Sequence, residues 1–483
     1  KIKKSMLLYV VLGLFAALVF HAWWRFNRRR PGEPPVVGSI PFFGCIASFA
    51  TDSVGLVRQS YEKLGDCFTL SLVGYKMTFL VGPEAHATFF RQTDAVLSPK
   101  EAYKFMVPVF GKGVVYDSPT EMMYQQVKFA KQGLVPAQLK RDVDYMLTII
   151  DRFTTGWGDS GLIDDLLHDL NRLTILTATR CLMGPEIHSQ MWGENSGEFA
   201  RLYHDLEGGI LPISFFFPHL PIPAFKKRDR AREAIVKVFA KIIAKRRREQ
   251  ETHDDLLDIL MNAEYKGGAT MTDDEIAGLL IGVLFAGQHT SSITGTWTLL
   301  FLLNNPKNMK EVMDEQKTVL DPNGEFNGKL TFEALRAMKK LEFAVRETLR
   351  MYPPLIHLMR MVKEPLAYKD YVIPAGHMLC VSPGMAMHIE SVFPDADKWK
   401  PERWEQFPDG PGVPPKFSFL AFGGGRHGCP GEQFGIQQIK TIFSVLLRRY
   451  EFELVKPDFP PPDYTAMVVG PTPPVPIRYK KRQ

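Results

Sequence analysis

The sequence predicts a mainly α-helical protein with small β-sheets, one large folded body carried behind a single N-terminal transmembrane helix. Three observations lead there. Helical periodicity dominates from about Val143 to Tyr352. Only short runs, CFTLSLV from Cys67 and MTFLVG from Met77, read as strands. An apolar stretch long enough to cross a hydrocarbon core stands near the N-terminus. At 483 residues the chain exceeds the size at which a single core usually stops growing, yet no polar or low-complexity stretch divides it. A composition of 45% hydrophobic and 23% charged residues supplies an ordinary core and excludes disorder. The five cysteines are odd in number and include no C-x-x-C pair, which argues against a disulfide framework or a zinc ribbon and suits a reducing compartment. A net charge of +6 is modest for this length: it is as compatible with no charged partner as with an acidic partner or an anionic membrane surface, and is weak evidence for nucleic acid. No P-loop, strand-borne G-x-G-x-x-G, H-E-x-x-H or internal repeat is present.

Taken in order, residues 1–30 form the anchor. Met6 to Trp24 is apolar and ends on paired tryptophans where an interfacial belt falls. Lys1, Lys3 and Lys4 precede it and Arg25, Arg28, Arg29 and Arg30 follow, so the positive-inside rule places the body on the cytosolic side. A cleaved signal peptide has a shorter apolar core and a small-residue cleavage site, and this run has neither. Residues 31–44 are rich in proline and glycine and form a stiff hinge that cannot continue the helix. The body spans residues 45–483. Within it the loop ILPISFFFPHLPIPAF is apolar for a connection, which fits either a dip into the membrane or packing in the core. The basic runs KKRDRAR and AKRRREQ carry acids or apolar positions among the charges and read as solvated helix faces.

The chemistry concentrates near the C-terminus in FGGGRHGCPG, followed by a helical apolar stripe through Ile439, Ile442, Phe443, Leu446 and Leu447. Pro430 suits the first turn of that helix, so Cys429 stands just before its N-terminus. There the helix dipole and free N–H groups favour a thiolate, and the glycines allow close approach to a flat cofactor. The pattern F-x-x-G-x-x-x-C-x-G over Phe422 to Gly431 resembles the haem-binding loop of the cytochrome P-450 family. That resemblance implies haem b, with Cys429 as the axial ligand of the iron, and the cytochrome P-450 fold behind an N-terminal transmembrane helix.

Other segments extend it. Glu347 and Arg350 in VRETLRMYPP share a helix face at i and i+3, with Arg403 in PERW as a third member. They resemble the family's E-x-x-R and P-E-R-F network, whose implied role is structural support of the haem loop. Upstream, MTDDEIAGLLIGVLFAGQHTSSITGTWTLLFLL opens on a T-x-x-E capping box, Thr272 and Glu275, and reads as a long buried helix. Its centre, Ala286 to Ser291, places polar groups where a plain core helix would carry leucine. On its own Thr290 reads equally as a hydroxyl bonded back to a helix carbonyl. The resemblance implies instead that Thr290 and His289 are catalytic and handle water and protons for splitting dioxygen. His289 stands where most of the family has an acid, a departure that points to the sterol 14α-demethylase branch. AYKFMVPVFGKGVVYD, from Ala102 to Asp117, is similar to a signature of the same branch.

Physically, Phe105, Met106 and Phe110 with Tyr103 and Tyr116 make an apolar wall bearing two phenols, suited to a rigid hydrocarbon ligand and to haem propionates. The resemblance adds Phe285 and Ala286, then Leu355, Ile356, Leu358, Met359 and Met361, and finally Met467 and Val468, to the substrate cavity. It gives Arg360, Arg426 and His427, with the two tyrosines, to the cofactor. The family's basic residue early in the third helix has no clear match in MYQQVK, where Lys128 stands nearest. The implied activity is removal of a sterol 14α-methyl group as formate in three oxygenations. Electrons would come from NADPH-cytochrome P-450 reductase at the endoplasmic reticulum membrane, with membrane lipid around the anchor and azole-type haem ligands as inhibitors. Phe105 implies preference for a 4-monomethyl sterol such as obtusifoliol. A haem-thiolate isomerase or dehydratase, or a haem protein that binds sterol without turnover, would be expected to lack the Ala286 to Thr290 segment or Thr290 itself.

Overall fold

The computed structural model describes residues 13, 17, 30–37, 44–72, 74–192, 198–250, 252–321, 328–407 and 409–482. The proposed anchor, 1–30, and residues 38–43 of the hinge lie almost wholly outside the described residues. The chain divides into two compact units interleaved in sequence, one of residues 1–102 and 357–386 and the other of 103–356 and 387–483. None of the three crossings, after Ala102, Ile356 and Ala386, carries a polar linker, so composition reads as a single body over 45–483.

The smaller unit is built on a five-stranded sheet. Cys67–Leu72 pairs antiparallel with Tyr75–Leu80, matching the two sequence-predicted strands. Tyr75–Leu80 runs parallel to Met378–Val381, which pairs antiparallel with Leu358–Val362, and the two-residue strand Leu97–Ser98 closes the far edge. At the other edge the hinge takes part: Thr69 donates its N–H to the Pro35 carbonyl at 2.8 Å and accepts from Val37 at 2.9 Å. That covers an edge strand whose peptide groups would otherwise stand open. Every residue of Cys67–Leu72 is buried, including Thr69. Its hydroxyl meets Thr78 at 2.9 Å, and Thr78 meets Nδ1 of His377 at 2.9 Å, so the buried polar groups satisfy one another.

The larger unit is helical and centres on the long helix Asp273–Asn304. Its predicted capping box is formed: Glu275 donates its N–H to Thr272 Oγ1 at 3.3 Å, and Thr272 donates its own to Glu275 Oε2 at 2.8 Å. Among the described residues this is the single helix long and apolar enough to cross a membrane, but most of its apolar window is buried inside the protein. It is a core helix, packed on Leu166–Leu182, Lys339–Met351 and the C-terminal helix Glu432–Arg449. Thr294, Thr296 and Thr298 each donate to the carbonyl four residues back, which lets hydroxyls sit in the core without outside partners.

Both basic runs lie on one helix, Pro223–Glu249. Its arginines are largely paired rather than freely solvated: the Arg246 guanidinium is fully buried between Glu186 and Asp255, at 2.7 and 2.9 Å. The apolar loop before that helix divides its residues. Phe215 packs against Phe105, whereas Ile213, Phe217 and Leu220 are exposed.

Candidate active site

The C-terminal loop takes its shape from two glycines in the left-handed region, Gly423 at φ 68° and Gly425 at φ 64°, flanking a turn that the Cys429 N–H closes on the Phe422 carbonyl at 2.8 Å. Cys429 is exposed; Cys45, Cys67, Cys181 and Cys380 are all buried. Although its surface is reachable, the protein atoms behind the sulfur desolvate it and push the thiol pKa up. The N–H groups of Gly431 and Glu432 and the charge of Lys131 pull it back, and the Glu432 carboxylate adds to the rise. The helix terminus therefore helps the thiolate without creating it alone. A coordinating metal ion is what deprotonates such a thiol outright.

One turn further on, a Cβ at Gly435 would lie 3.6 Å from Ser291 Oγ, so the thiol-bearing terminus approaches the centre of the long helix. At that centre the burial breaks. Ala286 is exposed, and a Cβ at Gly287 would meet nothing within 4 Å, although the helix is buried on either side. An exposed thiol at a helix start that packs near the long helix, and an opening of that helix over its small residues, fit a flat cofactor bound through sulfur, and haem is such a group. Thr290 Oγ1 donates to the Ala286 carbonyl at 2.6 Å. His289 Nε2 meets Glu207 Oε1 at 2.8 Å, and Phe285 stands edge-on to its ring. Glu207 ends another helix, Glu198–Glu207, and nothing in its local sequence marks it as a partner of His289.

The 103–117 segment forms a connected aromatic wall. Tyr103 stacks on Tyr116 with centroids 5.2 Å apart, Phe110 also stacks on Tyr116 at 6.1 Å, and Phe105 joins Tyr103 to Phe215. Burial, with the Tyr103 phenol alongside, raises the Tyr116 pKa far above its usual value, so Tyr116 stays a neutral donor. The wall depends on Val115, a β-branched residue held at φ 42°. Fully buried Gln126 holds it there, accepting the Val115 N–H at 2.7 Å and donating to the Gly113 carbonyl at 2.8 Å. Met106 is buried in the same segment.

The remaining residues separate. His427 meets Tyr124 at 3.5 Å with the rings stacked, so the MYQQVK segment contributes its tyrosine there, while Lys128 is exposed. Arg426 is exposed. The Val469 N–H donates to the Pro354 carbonyl at 2.9 Å, which brings Met467 and Val468 beside Leu355 and Ile356. Arg360 belongs to the smaller unit, buried and donating to the Phe89 carbonyl at 2.9 Å. Strand alternation in Leu358–Val362 puts Leu358 on the face of Arg360, and Met359 and Met361 on the other, so the three cannot line one surface together.

Support comes from Glu347, fully buried with a bidentate partner in Arg350 at 2.9 and 3.0 Å. Arg403 Nε and the Trp404 indole N–H each donate to it at 2.9 Å, and the Lys400 N–H at 3.0 Å. Trp404, the departure from the commoner phenylalanine, thus supplies a hydrogen bond that a phenyl ring cannot.

Comparison with known proteins agrees with this geometry. The family model for cytochrome P-450 matches residues 34–480. A sterol 14-demethylase of Arabidopsis thaliana is 41% identical over 100% of this chain and 98% of its own. An obtusifoliol 14-alpha demethylase of Triticum aestivum is 39% identical over 93% of this chain and 98% of its own, and a lanosterol 14-alpha demethylase of Homo sapiens is 41% identical over 93% and 87%. Among solved structures, retinoic acid bound cyanobacterial CYP120A1 superposes with a TM-score of 0.80 over 94% of this chain and 100% of its own, at 21% identity, a likeness of fold. With an exposed cysteine at a helix start, a helix opened above it and relatives aligned along nearly their whole length, the chain belongs to the haem-containing cytochrome P-450 family, in its sterol 14-demethylase branch.

Proposed function

We propose that this chain removes the 14α-methyl group of a sterol precursor as formate, leaving a 14,15 double bond. The observation that carries the reading is the opening of the long helix at Ala286 and Gly287 in the same unit as the exposed Cys429 and the aromatic wall of Phe105, Phe110 and Tyr116. Haem bound through Cys429 supplies dioxygen activation, with the thiolate donating electron density to the iron. Each of three turns consumes dioxygen, two electrons and two protons and releases water, taking the methyl to alcohol, to aldehyde and then to formate. The chain's own part is binding and proton handling. Tyr103, Tyr116, Arg426 and His427, all in the larger unit, are the groups suited to the propionates. Phe105, Met106, Phe110, Phe285 and Ala286, with Leu355, Ile356, Met467 and Val468, present apolar surface to a flat sterol. Thr290, at one helical turn from Ala286, can exchange its back-bond for water, and His289 with Glu207 provides an ionisable pair beside it.

The substrate follows from Phe105, whose ring fills space that a second C4 methyl needs, so obtusifoliol is preferred over lanosterol. Electrons come from NADPH through a separate reductase, docked where Lys131 and Arg426 stand near the cysteine loop. The 1–30 segment anchors the protein in the endoplasmic reticulum membrane. The test is turnover of both sterols by the holoprotein with NADPH and reductase. Formate release with faster turnover of obtusifoliol supports the reading; equal rates remove the preference, and absence of formate from both removes the activity.

A further inference from the structure

The Phe110 carbonyl is gripped from two sides. Arg232, on the Pro223–Glu249 helix, donates Nη2 to it at 3.2 Å while pairing bidentately with Asp274 in the first turn of the long helix, at 3.1 and 2.8 Å. The long helix comes so close that a Cβ at Gly278 would lie 2.1 Å from that carbonyl oxygen, and one at Gly111, which sits at φ 107°, would lie 1.9 Å from Arg232 Nη2. Three separate parts of the chain therefore converge on one peptide group, and two glycines are required for the approach. Gly113 and Val115, a few residues on, are held by neutral bonds to Gln126, itself bonded to Tyr265 at 3.0 Å. The charged tie at Phe110 and the neutral ties at Gly113 and Val115 hold the chain that leads into Tyr116.

We propose that Arg232 is a positioning residue for the substrate: it fixes the aromatic wall against the long helix and so sets sterol affinity without acting on the Cys429 centre. The inference rests on the sterol reading above. A guanidinium bound to both a carboxylate and a carbonyl is a strong, oriented tie, only 15% exposed on the arginine side. Its removal takes the side-chain donor from the Phe110 carbonyl, leaving that peptide the Gly111 N–H bond to the Val107 carbonyl at 2.8 Å, and loosens Phe110 in its stack on Tyr116.

The experiment titrates ferric holoprotein with obtusifoliol and with imidazole, which binds iron without needing the wall, and measures steady-state turnover. Arg232→Met should raise the obtusifoliol Kd and KM about tenfold while changing kcat less than about twofold. Imidazole binding and the thiolate-type carbon monoxide difference spectrum should stay as in the wild type, and Arg232→Lys should recover part of the loss. A Kd within about twofold of wild type, or equal loss of sterol and imidazole binding, overturns the proposal. If Arg232→Met fails to take up haem, Asp274→Asn is decisive: a Kd raised about threefold or more supports the role, and an unchanged Kd overturns it. Wild-type protein that gives no sterol-induced spectral shift would remove the sterol reading itself, a failure distinct from one confined to the variants.

Discussion

The support cluster at Glu347 and the aromatic wall at 103–117 belong to the same unit, but they are held in opposite ways. Glu347 is a fully buried charge with donors from Arg350, Lys400, Arg403 and Trp404, and Arg350 is itself buried and anchored to the Met387 carbonyl at 2.7 Å. The wall is tied by the Arg232 guanidinium at Phe110 and by the Asp117 carboxylate at the Gly113 N–H, at 2.9 Å, and otherwise by neutral bonds and stacked rings. A buried charge with several partners resists any rearrangement, because each lost partner leaves an uncompensated group. Stacked aromatics shift at lower cost than a fully buried charge, and the Asp274 partner of Arg232 is 46% exposed where Glu347 and Arg350 are both fully buried. The Glu347 cluster is thus held more rigidly than the wall, the surface proposed to meet substrate.

This contrast can be broken most directly at Glu347. Glu347→Gln should destabilise the protein by about 3–5 kcal/mol, since Arg350 would remain buried without its counter-charge, and haem should be lost with it. Denaturant unfolding of the holoprotein measures this; a loss below about 1 kcal/mol would show that the cluster is not a rigid frame. The smaller unit supplies a pH comparison, since its buried polar chain runs through a neutral histidine. Burial, with Lys76 nearby, lowers the His377 pKa from 6.5 to about 4. The unfolded chain then binds the extra proton first as pH falls, so stability should decline from about pH 6.5 down to about pH 4, by up to about 3 kcal/mol in total. His377→Asn should flatten that part of the pH profile and leave the effect of Glu347→Gln unchanged. A smaller loss sharpens the frame side: Trp404→Phe keeps the ring and removes the indole donor, leaving Glu347 Oε2 to Arg350 alone, for about 1–3 kcal/mol. The smallest effect belongs to the wall. Phe105→Leu should leave the unfolding midpoint nearly unchanged and shift the ratio of obtusifoliol to lanosterol turnover towards lanosterol by about tenfold or less. A large stability loss there with no change in ratio would make Phe105 a core residue only.

Local pattern carried the parts of the site that are local. Cys429, the glycines around it and the following helix all lie within residues 423–449, and the spacing that shapes the loop is the spacing that marks it. The same holds for the capping box at Thr272 and for Glu347 and Arg350, one helical turn apart. Partners distant in sequence left no such mark. Glu207 meets His289 across 82 residues, Tyr124 meets His427 across 303, and Arg232 reaches Phe110 across 122. Each of these residues looks like an ordinary member of its own helix until packing brings its partner near.

By itself the amino-acid sequence determined the helical class, the two strand runs at Cys67 and Met77, the long central helix with its cap, and the cysteine loop, because periodicity and motif spacing are properties of neighbouring residues. Tertiary structure alone decided that the Asp273–Asn304 helix, apolar enough for a membrane, is a core helix that opens at Ala286 and Gly287. It also decided that Arg360 spends its charge on the Phe89 carbonyl, that the Cys429 thiol is raised by desolvation despite its helix terminus, and that a carbonyl at Phe110 needs two glycines and an arginine. Those outcomes depend on which surfaces exclude water and which atoms meet across long loops, and such distances exist only once the chain has folded.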